Sequence, residues 1–152
     1  MTTNQQEEGG LIAMARKVEE EWKNSRLVTK YDELEFNTSR GGTVALVVSP
    51  NMGHANKQIG SFIREIPPGK KSGKHVHNFE AIIHIIKGNG YTILGDKKFD
   101  WKVGDTMSVP PMLPHQHFNT DPNEPARFFA VITLPLMVNT GQFKFDQLEW
   151  AE

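Results

Sequence analysis

Hydrophobic residues along this chain of 152 residues keep two different periods. Between positions 11 and 22, Leu11, Ala15, Val18 and Trp22 recur at intervals of three or four, with charged residues between them. That spacing places them on one face of an amphipathic helix over residues 11–25, with its last turn near Asn24. Such a face predicts packing on a barrel or at a subunit interface. Glu19, Glu20 and Glu21 speak against a membrane-surface role, because anionic lipid repels them.

Beyond the helix the period shortens. TVALVVS, SFIREI, AIIHII, GYTIL, KFDW, DTMSV and RFFAVITL are short apolar runs, and PPGK, KGNG, LGDKK, VGD and PNEP punctuate them. Many short strands separated by Gly, Pro and Asp predict an all-β sandwich or barrel. No internal linker or solenoid repeat interrupts the pattern. The expected organisation is a disordered lead-in over residues 1–10, the helix over 11–25 and one barrel domain over 26–152.

Composition narrows the function classes. A chain of this length buries a core without staples. Seventeen basic residues balance 18 acidic ones, with no basic run, so neither nucleic acid nor an anionic membrane is an expected partner. The absence of cysteine removes disulfides, thiolate metal sites and a cysteine nucleophile. The polar start, MTTNQQEEGG, is no signal peptide, and FFAVITLPLMV is too short to span a bilayer. A soluble cytoplasmic protein is the expectation.

Histidines then supply candidate chemistry. Five of the six fall in two clusters, His75, His77 and His84 within HVHNFEAIIH and His115 and His117 within PPMLPHQHFN. On a strand, side chains two apart point the same way, so His75 with His77, and His115 with His117, are two same-face pairs able to share a metal ion. With imidazole ligands, Fe(II), Mn, Co, Ni, Cu and Zn all remain open. His54, in the loop-like SPNMGHANK, reads as solvent-exposed.

These residues resemble the two motifs of the cupins, small jelly-roll (double-stranded β-helix) barrels. The first motif is G(X)5HXH(X)3–4E(X)6G; Gly69, His75, His77 and Gly88 match it. The second is G(X)5PXG(X)2H(X)3N; Gly104, Pro110, His115 and Asn119 match, with Met112 in place of the middle glycine. The resemblance spans about residues 60–135 and implies a cupin barrel behind the N-terminal helix. It also implies His75, His77 and His115 as metal ligands.

The expected glutamate departs from the motif. Glu80 lies one residue early, and counting back from Gly88 puts the ligand position at Ala81. The spacing from His77 to Gly88 is intact, so substitution is the simplest reading, with Glu80 as runner-up ligand. Strand parity agrees: if Ala81, Ile83 and Ile85 face inward, Glu80, Ile82, His84 and Ile86 face outward. The outer apolar residues then need cover from the helix or a second subunit, which predicts a homodimer.

A three-histidine centre without carboxylate resembles the gentisate 1,2-dioxygenase group. That resemblance implies an Fe(II) dioxygenase acting on a small aromatic or diketone-type anion. His117, sharing a face with His115, is the candidate catalytic residue, as acid/base or hydrogen-bond partner of a substrate hydroxyl; filling the barrel is the alternative. Asn119 is expected to stabilise a turn. A substrate carboxylate would want an arginine; Arg64 and Arg127 lie on predicted strands near the motifs, and surface exposure is the preferred reading for each. Phe62, Met107, Phe118 and Phe129 read as core or pocket wall. The competing functions are a non-redox metal-dependent isomerase or decarboxylase and a non-catalytic small-molecule-binding cupin.

Overall fold

Alternation along the strands decides which face of each sheet is dry. In a computed structural model that describes residues 10–151, β-branched runs bounded by Gly and Pro become strands. They are β1 (Asn37–Thr38), β2 (Thr43–Val48), β3 (Gly60–Ile66), β4 (Lys74–His77), β5 (Ala81–Lys87), β6 (Asn89–Leu94), β7 (Lys97–Lys102), β8 (Thr106–Val109), β9 (His115–Asn119), β10 (Ala126–Ile132) and β11 (Phe145–Glu149). Helix α1 (Gly10–Lys23) precedes them, and α2 (Leu134–Asn139) lies between β10 and β11. The expected lead-in lies outside the described residues, apart from Gly10, which opens α1.

The strands form two antiparallel sheets. One has six strands in the order β1-β2-β3-β10-β5-β8, the other five in the order β11-β4-β9-β6-β7. This is the all-β jelly-roll architecture that the motifs imply. β5 shows the alternation directly: Ala81, Ile83 and Ile85 are buried, and Ile82, His84 and Ile86 are exposed. Beside it in the same sheet β10 buries Ala126, Phe128, Ala130 and Ile132. With Ile66, Phe79, Trp101 and Val109 these residues make one continuous core between the sheets. Gly88 carries the turn from β5 into β6 at φ 81°, and a Cβ there would lie 2.9 Å from Ala126 Cα. The position therefore admits only glycine without strain, which gives the count back to Ala81 a fixed origin.

Several expectations need correction. α1 ends at Lys23 and buries none of its residues within the chain; Leu11, Met14 and Val18 are all more than half exposed. The run RFFAVITL leaves the sheet after Ile132, because Pro135 cannot donate to a ladder and instead starts α2. β11 had no clear signal, since four of its five residues are exposed. It pairs with β4, Phe145 opposite His77 and Gln147 opposite His75. Phe118 and Phe129 lie on outer faces, Phe118 stacked on Tyr91 at 4.4 Å and Phe129 in a groove with Trp22 and Ile59. His54 is buried, 3.1 Å from Thr29 Oγ1 and against the Ser49 backbone, so it ties two loop segments together.

Candidate metal centre

Pairing of β4 with β9 sets His75 directly opposite His115. Their ring centroids are 4.2 Å apart, and His77 is 4.7 Å from His115. One ring nitrogen from each of His75, His77 and His115 lies within 4.8 Å of the others, and all three residues are buried. No carboxylate belongs to this group among the described residues. Ala81 faces the same cavity, whereas Glu80 is exposed and its backbone N–H donates to Thr133 Oγ1. His84 is exposed too, beside Thr106 Oγ1 at 2.9 Å.

Backbone carbonyls fix the tautomers. His75 Nδ1 donates to Gly73 O at 3.1 Å, His77 Nδ1 to Phe79 O at 2.7 Å and His115 Nδ1 to Leu113 O at 2.9 Å. A carbonyl only accepts, so Nδ1 carries the proton and the three Nε2 lone pairs are free. The donor set therefore fits a divalent transition ion: three neutral imidazoles with room for further ligands. Burial holds all three imidazoles neutral. It lowers His75 to about 2 and His115 to about 4, with neighbouring imidazoles adding to both, and it lowers His77 as well. Phe145 stacks over His75 at 5.5 Å, and Phe79 lies flat on His77 at 3.7 Å.

A cavity of about 190 Å³ opens on this cluster, walled by Phe62, Ile83, Phe128 and Leu134. His117 lines it but stands apart from the three-nitrogen group; it is buried, and that burial pushes it well below the ordinary histidine value. Two arginines also line it, Arg64 and Arg40, of which Arg40 carried no signal in the sequence. Arg64 was expected at the surface, yet it is 3% exposed because its position on β3 faces inward with Phe62 and Ile66. Its Nη2 donates to Ser39 O and Arg40 O at 3.0 and 2.7 Å, and its Nε has no partner among the described residues. Burial, with Arg40 nearby, lowers it to about 10, so it stays charged. Arg40 adopts φ 44° and lies over the Phe145 ring at 4.9 Å. Arg127, by contrast, faces outward and pairs with Glu65 and Tyr31. Asn119 is structural: its amide donates to Ile66 O, Pro67 O and Glu124 O and its Oδ1 accepts from Asp121 N, closing the turn before β10.

Residues 62–132 match the cupin domain family, over the two sheets and the histidine cluster just described. An uncharacterized protein of Methanocaldococcus jannaschii is 34% identical over 91 residues, 58% of this chain and 71% of that protein. The chain is a cupin. Other cupin likenesses divide between binding and catalysis. Auxin-binding protein 4 of Zea mays is 24% identical over 108 residues, 65% of this chain and 53% of its own length. Gentisate 1,2-dioxygenase 1 of Aquipseudomonas alcaligenes is 36% identical over 59 residues, 39% of this chain and 17% of that enzyme. Among solved structures, the cupin superposes on salicylate 1,2-dioxygenase of Pseudaminobacter salicylatoxidans with a TM-score of 0.65 at 13% identity, a likeness of fold alone. The match covers 74% of this chain and 32% of the enzyme, so the cupin spans about a third of that chain and about half of the plant protein. No helix among the described residues is long and apolar enough to cross a membrane.

Proposed function

We propose that this cupin is a metal-dependent dioxygenase-like protein that holds Fe(II) on His75, His77 and His115 and acts on a small aromatic or diketone-type anion. The observation that carries the reading is the convergence of one ring nitrogen from each of three buried histidines, with no carboxylate in the group among the described residues. Three neutral ligands leave a divalent ion its full charge, which favours an anionic, chelating substrate. When bound, Fe(II) supplies Lewis acidity and the redox capacity for oxygenation.

The chain's own residues do the rest. Arg64 and Arg40 line the cavity as cations with no acidic partner among the described residues, and they receive the substrate's anionic group. Phe62, Ile83, Phe128 and Leu134 enclose its apolar body and exclude water. His117 hydrogen-bonds a substrate oxygen. The likeness to gentisate 1,2-dioxygenase over 59 residues supports this assignment. Exposed Ile82 and Ile86, together with the apolar face of α1, support a homodimer.

Oxygen uptake by anaerobically purified, Fe(II)-reconstituted protein tests the reading, with gentisate, salicylate, acetylacetone and a hydroxyacetophenone as probes. Uptake with one of them, and loss of bound iron from about one ion per chain to near none in His115→Ala, are expected. The likeness to auxin-binding proteins supports a second reading, a metal-holding cupin that binds a small anion without turning it over. Tight binding of an aromatic carboxylate with no oxygen uptake favours that reading over the first.

A further inference from the structure

The fourth histidine lining the cavity is wired opposite to the other three. His117 and Thr92 are register partners on β9 and β6, and Thr92 Oγ1 lies 2.8 Å from His117 Nδ1. On the next strand Trp101 Nε1 donates to the same Thr92 oxygen at 2.9 Å. Gly90, the register partner of Trp101, makes room for the indole; a Cβ there would stand 2.7 Å from ring carbon Cη2.

An indole N–H only donates, so one lone pair of the Thr92 oxygen is occupied. Thr92 is fully buried, and its hydroxyl proton has no acceptor among the described residues other than His117 Nδ1. If His117 carried its proton on Nδ1, the threonine proton would be stranded in a dry interior, which native packing avoids. The indole N–H, the Thr92 hydroxyl and His117 Nδ1 are all paired only when Thr92 donates to Nδ1 and the imidazole proton sits on Nε2. That nitrogen has no other partner among the described residues, and its ring lines the cavity beside His115, 5.6 Å between centroids.

We propose that Trp101 and Thr92 are positioning residues that lock His117 as the Nε2–H tautomer, keeping it off the metal and aiming a fixed N–H donor at a ligand oxygen in the cavity. The inference rests on the proposed metal reading only for the identity of that ligand. It also accounts for a fourth imidazole standing outside the three-nitrogen group. The three neighbours, with Nδ1 held by carbonyls, present lone pairs; His117, with Nδ1 held by a hydroxyl, presents a proton.

Long-range proton–nitrogen correlation spectra of protein labelled with ¹⁵N-histidine test it, metal-free and loaded with diamagnetic Zn(II). His117→Gln identifies the His117 signals by their loss. The expected wild-type pattern is an unprotonated Nδ1 and protonated Nε2 for His117, and the reverse for His75, His77 and His115. Thr92→Val should shift His117 towards a mixture of tautomers, Thr92→Ser should restore the wild-type pattern, and Trp101→Phe should fall between. A wild-type His117 with its proton on Nδ1 overturns the proposal, as does an unchanged pattern in folded Thr92→Val. If Thr92→Val does not fold, the wild-type and Thr92→Ser spectra decide. Protein that binds no metal yet shows the expected His117 pattern upholds the relay and removes the proposed function instead.

Discussion

Ala81 places a methyl group against a cluster of imidazoles, at an inward position of β5 that the cavity reaches. A carboxylate at that position would add a charged ligand. Ala81→Glu should therefore tighten divalent metal binding by tenfold or more in a chelator competition, roughly the effect of one charge-assisted contact. The same variant without metal should melt lower than the wild type, because it buries an unpaired charge. Unchanged affinity would mean that position 81 does not reach the ion. Acid stability belongs to this scale too. Burial depresses His75, His77, His115 and His117 below the value of about 6.5 they regain on unfolding. Below that pH the unfolded chain takes up more protons, so stability is full above about pH 6.5 and is lost as pH falls. The part due to His115 is lost between about 6.5 and its folded value of about 4. Urea midpoints of metal-free protein should drop between pH 7 and pH 4.5, and less so in His115→Gln; a flat profile would contradict buried neutral imidazoles.

Among the elements, β11 reaches the site by pairing with β4, and Phe145 covers His75 while Arg40 covers Phe145. Phe145→Ala should weaken metal binding without altering the three ligands, and its binding isotherm would show this as a higher Kd at unchanged stoichiometry. Equal Kd values would make β11 a bystander. This strand also shows where sequence reading stops. β5 and β10 were legible because one face is dry and the other wet, and alternation survives in the residue order. FDQLE is mostly exposed, so no burial pattern marked it, and its place depends on a partner strand about seventy residues earlier. The histidine pairs were legible from spacing alone. Arg64 was not, because a lone arginine on a strand carries no sign of its facing, and only the register with Phe62 and Ile66 turns it inward. His54 failed for a similar reason: its partners Thr29 and Ser49 come from loops, which have no period. Met112 explains its own departure from the motif, since it holds φ 62°, where glycine is at ease.

Over the whole molecule, exposed apolar side chains among the described residues include those of α1 and, on the outer face of the six-stranded sheet, Ile82 and Ile86, with Ile82 56% exposed. Sedimentation velocity should return the mass of two chains, and Ile82→Glu with Ile86→Glu should return one, at a melting temperature within a few degrees of wild type. A wild-type monomer would remove the homodimer. The five-stranded sheet has a different weakness. β4 and β9 share a single registered pair, His75 with His115, continued before β4 by an isolated bridge between Lys71 and Phe118, whereas β6 is paired with β7 at six positions and with β9 at five. The candidate ligands thus straddle a seam, His75 and His77 on one side and His115 on the other, and closing it is a non-local step of folding. An ion held there would act as a clasp on the chain's own assembly. Amide exchange should slow on metal addition most in β4 and β11, the two strands beyond the seam, and least in β6 and β7.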